Sequence, residues 1–406
     1  MGRYSYSMKM HSDWLKCWGR VIAIIHPFKS KRVLVAHNVM RGLQGGMARM
    51  MESIHAELES FGWKTEYFTA DDMPASCGDR FRRYAFSWYV RRHAREAFLR
   101  GEPYEVINIH EPAGAAVVFG RSQLGGPAIV AMSHGLEKRY WKLRLKRNPT
   151  GPDFPSWKTR MLFPATSLWQ SHLTLCRADH IFCLSEEDRV FLVDRFQLNQ
   201  ERITRVFPAA GLEFSGVAHR RTYDRHCNRV LFSGTWIERK GIRQVIEAFT
   251  ILCGRHPSLQ LGVLGAGVVA SSVLADWPPA LHSRITVYPH LSHADCAEVL
   301  LDYDIFLLPS FFEGTPLALI EAMCSGMPVI TTATCGMKDV VEDGQNGLLI
   351  APGNSEQIVS SVELLISNSS LRRRLGQQAS RDATERFTWR ATAELVDAAY
   401  SSLLKS

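Results

Sequence analysis

Two glutamates, Glu313 and Glu321, stand eight positions apart in the stretch EGTPLALIEAM (313–323), with a Gly-Thr-Pro turn between them. The apolar run DIFLLPS (304–310) comes just before, so the region reads as strand, turn and helix. Thr315 is suited to cap the helix, and Pro316 to open it where its missing N–H costs nothing. Gly326 and Pro328 then end it. The free N–H groups of the first turn near Leu317, approached closely because Gly314 has no side chain, make an anion site. Glu321 lies one turn beyond Leu317 on the same face, within reach of hydroxyls beside a bound anion. An anion flanked by hydroxyls describes a sugar nucleotide. An ordinary strand-turn-helix with solvent-facing carboxylates has the same local pattern.

The elements that must hold such a site follow from periodicity. Short apolar runs at 32–37, 104–110, 128–134, 180–185 and 203–208 read as strands, and a second series falls at 228–234, 259–265, 284–289, 304–310 and 327–332. Between them, segments such as 45–62 and 241–256 carry apolar residues at three- and four-residue spacing. Strands alternating with helices imply parallel sheets covered on both faces. Residues 209–227 are polar and aperiodic and read as a linker. The expected fold is α/β, two Rossmann-like doubly wound domains facing a central cleft. The expected division is an extension over 1–30, a first domain over 31–210, a second over 211–385, and a terminal helix over 386–406. Ligands of such sheets bind beyond the carboxyl ends of the strands. Gly45 and Gly46, His110, His134 and the Glu313 turn all fall there.

Composition excludes several classes. A chain of 406 residues with 46% apolar and 22% charged content is globular rather than disordered. No apolar run approaches the 18 or so residues of a membrane span. Lys16 and Arg20 interrupt the apolar segment 14–25, which argues against a cleavable signal. Within the extension, Trp14, Trp18, Val21, Ile22 and Ile25 form a helical stripe suited to a membrane interface, although 20–25 also fits a strand. The nine scattered cysteines, without a C-x-x-C pair, indicate reduced thiols in a cytoplasm and no metal site. Residues 1–210 hold 31 Lys and Arg against 20 Asp and Glu, a net of +11; the remainder, at −3, brings the total to +8. A basic first half implies an anionic partner there.

Taken in order, these features resemble the family 4 glycosyltransferases over roughly residues 31–400. The Glu313–Glu321 stretch, FSGTWIERKGI (232–242), the glycine-rich RGLQGGMARMMESIHAEL (41–58), GMKDVVEDGQNGLLIAPGN (336–354) and the terminal RFTWRATAELVDAAYSSLL (386–404) carry the resemblance. Three positions depart from the family's habit: Thr235 in place of Arg, Asp339 in place of Glu, and PAAGLEF (208–214) without the usual Asn. The resemblance implies the GT-B fold and transfer of a sugar from a nucleoside diphosphate sugar, with retained configuration, no metal and no cofactor. It makes Lys240 and Arg239 the fixed cations of the diphosphate, with backbone amides near Gly314, Thr315 and Leu317 holding the same phosphates. Glu321 would bind the ribose and Glu313 the donor sugar. His134 would stand close to that sugar, and Gly45 and Gly46 would let the backbone approach. His134, Lys240 and Glu313 are thereby the expected catalytic group.

Other patterns compete. Gly265, Gly267 and Ala270 match a dinucleotide fingerprint, but the next strand ends in Pro289-His290-Leu291, without the carboxylate that a ribose needs. Asp302 and Asp304 form a D-x-D, yet Asp304 precedes a buried strand and is expected to cap a helix end or turn rather than hold a metal. The basic, aromatic segments 79–100 and 137–160 suit an anionic membrane surface or single-stranded nucleic acid. The second follows His134 directly, which favours a lipid-linked or polysaccharide glycan acceptor over nucleic acid. His110, Arg139 and Lys142 are the acceptor-side candidates. The expected setting is cytoplasmic, with peripheral contact at the inner face of the membrane. Alternatives are an epimerase or phosphorylase on the same fold, or a basic binding protein without catalysis.

Overall fold

A computed structural model of the protein describes residues 31–40, 45–75, 77–147 and 154–405. Residues 1–30, expected to form the stripe or strand of the extension, lie outside these. Among the described residues, twelve strands form two six-stranded parallel sheets. The first runs in the order β2-β1-β3-β4-β5-β6: Trp63–Phe68, Lys31–Ala36, Val106–His110, Ala128–Met132, His180–Cys183 and Ile203–Arg205. The second runs β12-β11-β10-β7-β8-β9: Leu348–Ile350, Val329–Thr332, Ile305–Leu308, Arg229–Ser233, Gln260–Leu264 and Ile285–Val287. Continuous burial explains why apolar runs pair in parallel. Val33, Leu34, Val35 and Ala36 are all fully buried, each of the larger side chains contributing about 1.5–3 kcal/mol relative to exposure.

Two strands escaped the periodicity. β2 is WKTEYF, buried at its two ends and only partly covered between, so it shows neither an apolar run nor clean alternation. β12 is three residues long. Both are edge strands, where one side lacks a neighbour and burial is weakest.

The strand order fixes where the chemistry sits. In the first sheet β1 and β3 are neighbours and the chain leaves them to opposite sides; in the second, β7 and β10 are the corresponding pair. Such switch points open a crevice at the carboxyl ends. The loop after β7 carries Lys240, the loop after β10 carries Glu313, and the loop after β1 leads to Gly45 and helix α1 (Gly46–Glu59). Helix α2 (Glu137–Arg147) follows β4, α3 (Ile242–Arg255) follows β7, and α4 (Leu317–Cys324) follows β10. α3 buries Ile242, Val245, Phe249 and Leu252 on one face, which anchors the loop before it. That loop ends at Gly241, whose φ is 78° and whose Cβ, if present, would lie 2.3 Å from the Pro309 carbonyl oxygen. Only glycine lets the Lys240 turn lie against the exit of β10.

The terminal helix α5 (Trp389–Leu403) packs on the first domain. Tyr400 is fully buried beside Trp63, with ring centroids 5.1 Å apart, and its hydroxyl accepts a hydrogen bond from Asn108 Nδ2 at 2.6 Å. Asp304 caps neither a helix nor a turn. Its carboxylate accepts the N–H groups of Asn228 and Arg229 at 3.0 Å and Arg225 Nε at 2.6 Å, tying the start of β7 to β10. Asp304→Ala removes the shared acceptor of those N–H groups and of Arg225 and should cost about 1–3 kcal/mol of stability, read as a lower urea midpoint; an unchanged midpoint refutes this role.

Candidate active site

The carboxyl ends of the two sheets face a cleft of about 630 Å³. Gly45, Gly46 and His134 line it from the first domain. Arg239, Lys240, Glu313, Gly314, Thr315, Leu317 and Glu321 line it from the second. The Glu pair, the basic loop and the glycine-rich loop, far apart in sequence, thus meet in one place. The capping of α4 differs by one residue from expectation. Pro316 is the capping residue, with extended backbone, and Leu317 opens the helix. Thr315 does not cap because its hydroxyl donates to the Leu184 carbonyl at 2.5 Å, across the cleft in the first domain. Gly314 makes that approach possible, since a Cβ there would come within 2.6 Å of the His134 carbonyl oxygen.

Both glutamates are nearly buried, at 7% and 9% exposure, and each faces a cation. Lys240 Nζ lies 2.7 Å from Glu313 Oε1, and Arg239 Nη1 lies 3.9 Å from Oε2. Burial pushes the Glu313 carboxyl up, but Lys240 and Arg239 outweigh it and hold its pKa below the ordinary value. Glu321 pairs with Arg49 Nη2 at 2.6 Å. Here burial wins, and the pKa stands above the ordinary value although Arg49 pulls it down. Arg49 was not anticipated, yet the signal existed: it lies three residues past Gly46, one turn into α1 and on the face toward the cleft.

His134 is backed by His110. His134 Nε2 and His110 Nδ1 share a hydrogen bond of 2.9 Å, and their rings stack with centroids 4.8 Å apart. Burial, and then the nearby His37, push His134 down to about 3, so it is neutral at pH 7. Beside it in the cleft wall is Glu111, also unanticipated, which follows His110 in the NIHEP run. Glu111 accepts from Ser133 Oγ at 2.6 Å and from Ser171 Oγ. Burial, then the neighbouring Glu137, nevertheless push its pKa up to about 8.

The three acceptor-side candidates do not line the cleft. His110 is 2% exposed and lies behind His134. Arg139 is spent on Asp188, at 2.6 Å, and on Glu187, neutralising a carboxylate that is fully buried. Lys142 sits over the Phe191 ring at 5.1 Å. Gly265 of the glycine pattern lies at the end of β8 and joins the cleft wall, with φ at 71°. A second cavity of about 740 Å³, lined by His37, Glu52 and Tyr67 among others, opens on the first domain across α1. Among the described residues, no group of three His, Cys, Asp or Glu side chains is disposed to hold a metal ion.

Comparison with known proteins agrees with this architecture. The family described as "Glycosyltransferase Family 4" matches residues 44–213, and "Glycosyl transferases group 1" matches residues 224–382. Alpha-D-kanosaminyltransferase from Streptomyces kanamyceticus is 23% identical over 330 residues, 78% of this chain and 81% of that protein. Other curated relatives match over less: Spore coat protein SA from Bacillus subtilis (strain 168) is 28% identical over 42% of this chain, which spans about half, 48%, of that protein's length. Among solved structures, sucrose-phosphate synthase from Thermosynechococcus elongatus superposes with a TM-score of 0.74 at 18% identity, over 92% of this chain and 99% of that one. Anabaena Alr3699/HepE in complex with UDP and glucose superposes with a TM-score of 0.62 at 16% identity, over 91% and 99%. Two facing parallel α/β domains with the Glu pair and the basic loop in the cleft between them are the GT-B arrangement, and the chain belongs to the family 4 glycosyltransferases.

Proposed function

We propose that the protein moves a sugar, with retained configuration, from a nucleoside diphosphate sugar to a lipid-linked or polysaccharide glycan acceptor. The observation that carries this is the pairing of buried carboxylates with cations at the switch points of both sheets. Each carboxylate and each cation can trade its present partner for one part of the donor. Lys240 and Arg239, with the first-turn amides of α4, take the diphosphate. Glu321, released from Arg49, takes the ribose hydroxyls, and Glu313, released from Lys240, takes hydroxyls of the sugar. Arg49 is then free to meet the phosphates from the opposite wall. That HepE binds UDP and glucose on the same fold supports a nucleotide-sugar ligand.

The chemistry follows from charge. As the bond from the anomeric carbon to the phosphate oxygen breaks, negative charge grows on the leaving diphosphate, where Lys240 and Arg239 stand ready. The acceptor oxygen bonds to the anomeric carbon on the same face, and its proton passes to the departing phosphate oxygen. Closure of the two domains excludes water and so limits hydrolysis of the donor.

An anionic membrane surface is the proposed setting. Trp157, Met161 and Leu162 on the helix Trp157–Phe163 are 59–70% exposed, and that helix continues through Pro164–Leu168 to the exposed Trp169. Phe119, also exposed, lies 6.4 Å from Trp169. Lys158 lies over the Trp157 ring, Arg177 over the Phe119 ring and Arg160 over the Phe154 ring that precedes the helix. Aromatic and aliphatic tips surrounded by cations match the interface of an anionic bilayer. Among the described residues, no helix is long and apolar enough to cross a membrane.

Three outcomes follow. In a thermal-shift panel of UDP, GDP and ADP, one nucleoside diphosphate should raise the melting temperature, and Glu321→Ala should abolish the shift; no shift with any of the three contradicts the assignment. With the matching sugar donor, Lys240→Ala should lower kcat/KM by the equivalent of about 2–4 kcal/mol, and an unchanged rate removes Lys240 from the mechanism. The protein should float with phosphatidylglycerol vesicles at low salt, and a Trp157→Ser/Leu162→Ser variant should float less; absence of wild-type flotation rules out the membrane contact.

A further inference from the structure

We propose that His110 is a positioning residue that fixes which nitrogen of the His134 ring carries the proton, so that His134 meets the bound donor with an N–H rather than with a basic lone pair. The inference rests on the preceding assignment for the identity of what fills the cleft, and on the geometry of the pair for everything else. The hydrogen bond joins His134 Nε2 to His110 Nδ1 at 2.9 Å. With Nε2 engaged, Nδ1 is the nitrogen that His134 has left for a ligand in the cleft it lines.

Two arrangements satisfy that bond. If His134 donates, its proton is on Nε2, its Nδ1 is a lone pair, and His110 carries its own proton on Nε2. If His110 donates from Nδ1, then His134 carries its proton on Nδ1, toward the cleft, and His110 Nε2 is a lone pair. The two differ inside the protein as well as in the cleft. His110 is 2% exposed, and its Nε2 is buried without a hydrogen-bond partner. The first arrangement buries an orphaned N–H there; the second buries only an unfilled acceptor. Orphaned buried N–H groups are the rarer of the two in folded proteins, because a bound proton left without an acceptor forfeits its whole hydration. The second arrangement is therefore the favoured one.

The surroundings keep both rings neutral, as the argument requires. His37 lies 5.7 Å from His110 between ring centroids, and burial before all else, with these mutual contacts adding to it, lowers both groups. A neutral His134 with its proton on Nδ1 can donate to a hydroxyl of the sugar or to an oxygen of the departing phosphate. It cannot take a proton from the acceptor. That proton is left to the phosphate oxygen, whose bond to the anomeric carbon breaks as the acceptor oxygen's bond forms. Neutrality also means that the N–H is offered at neutral pH without placing a third cation beside Lys240 and Arg239.

The test reads the tautomer directly. Full-length protein labelled with 15N-histidine is recorded without ligand at neutral pH by long-range proton–nitrogen correlation, with the His134 signals assigned by their loss in His134→Gln. The expected pattern is a protonated Nδ1 and a bare Nε2 for His134. His110→Phe, which removes the donor and keeps a planar ring, should release His134 toward its other tautomer. Turnover with the donor found by the nucleotide panel should then fall about tenfold, as when groups that orient a reacting imidazole are removed. His110→Asn places an amide N–H near the original Nδ1 and should restore both the tautomer and the turnover. Wild-type His134 with its proton on Nε2 overturns the proposal, as does His110→Phe with tautomer and turnover unchanged. The ligand-free spectrum is independent of the nucleotide panel, so either can fail without the other.

Discussion

Burying a carboxylate costs more than folding can absorb unless a cation stands against it, and the cleft contains two such carboxylates. Glu313 is held by Lys240 and Arg239, and Glu321 by Arg49. Much of the surrounding structure can be understood from this requirement. Lys240 reaches Glu313 only because Gly241 allows its loop to lie on Pro309, at the point where β7 and β10 part. Arg49 reaches Glu321 only because the two domains stand close together. On the proposed function, the same pairs that stabilise the cleft walls would set out the charges that a nucleoside diphosphate sugar meets, so stability and function would draw on one set of contacts.

The closeness of the domains has its own supports. Thr315 donates to Leu184, the Glu186 N–H donates to Asp339 at 2.7 Å, and Lys338 pairs with Glu187 at 2.6 Å. Farther along the cleft, Arg147 of α2 donates to the Glu238 carbonyl at 3.0 Å, at the start of the basic turn. Tyr140 packs on Phe312 with ring centroids 5.6 Å apart. Helix α2 thus touches both loops that carry the second domain's cations and carboxylate. Most of these contacts are polar and reach across from side chains or loop backbone, a type of interface that domain opening can break and remake at modest cost. Asp339, where Glu is more usual in the family, serves here as an acceptor for the first domain's backbone.

What the sequence revealed depended on whether the physics was local. The Glu pair, the Gly-Thr-Pro turn and the basic loop each lie within a dozen residues, and turn chemistry and helix spacing make them readable without knowledge of the fold. The strands buried on both faces were readable for the same reason. β2 and β12, at sheet edges, carried too little pattern. Long-range pairing was the larger gap. Nothing in the segment 137–160 distinguishes Arg139, consumed by Asp188, from a cation free to bind a substrate. Arg49 looked like an ordinary helix residue until α1 was seen to face the second domain. Thr315 had the composition of a cap, but an acceptor in the other domain claimed its hydroxyl. His110 and His134 were each visible as strand-end histidines, whereas their mutual hydrogen bond exists only because β3 and β4 are neighbours.

The central claim is that the ion pairs Arg49–Glu321 and Lys240–Glu313 stand in the places that the donor will occupy. A crystal structure of the protein with the nucleoside diphosphate that stabilises it tests this most directly. The diphosphate should lie on Lys240, Arg239 and the first amides of α4, with the ribose hydroxyls on Glu321 and Arg49 withdrawn from that carboxylate. A nucleotide bound elsewhere, with the Arg49–Glu321 and Lys240–Glu313 pairs both intact, would contradict it.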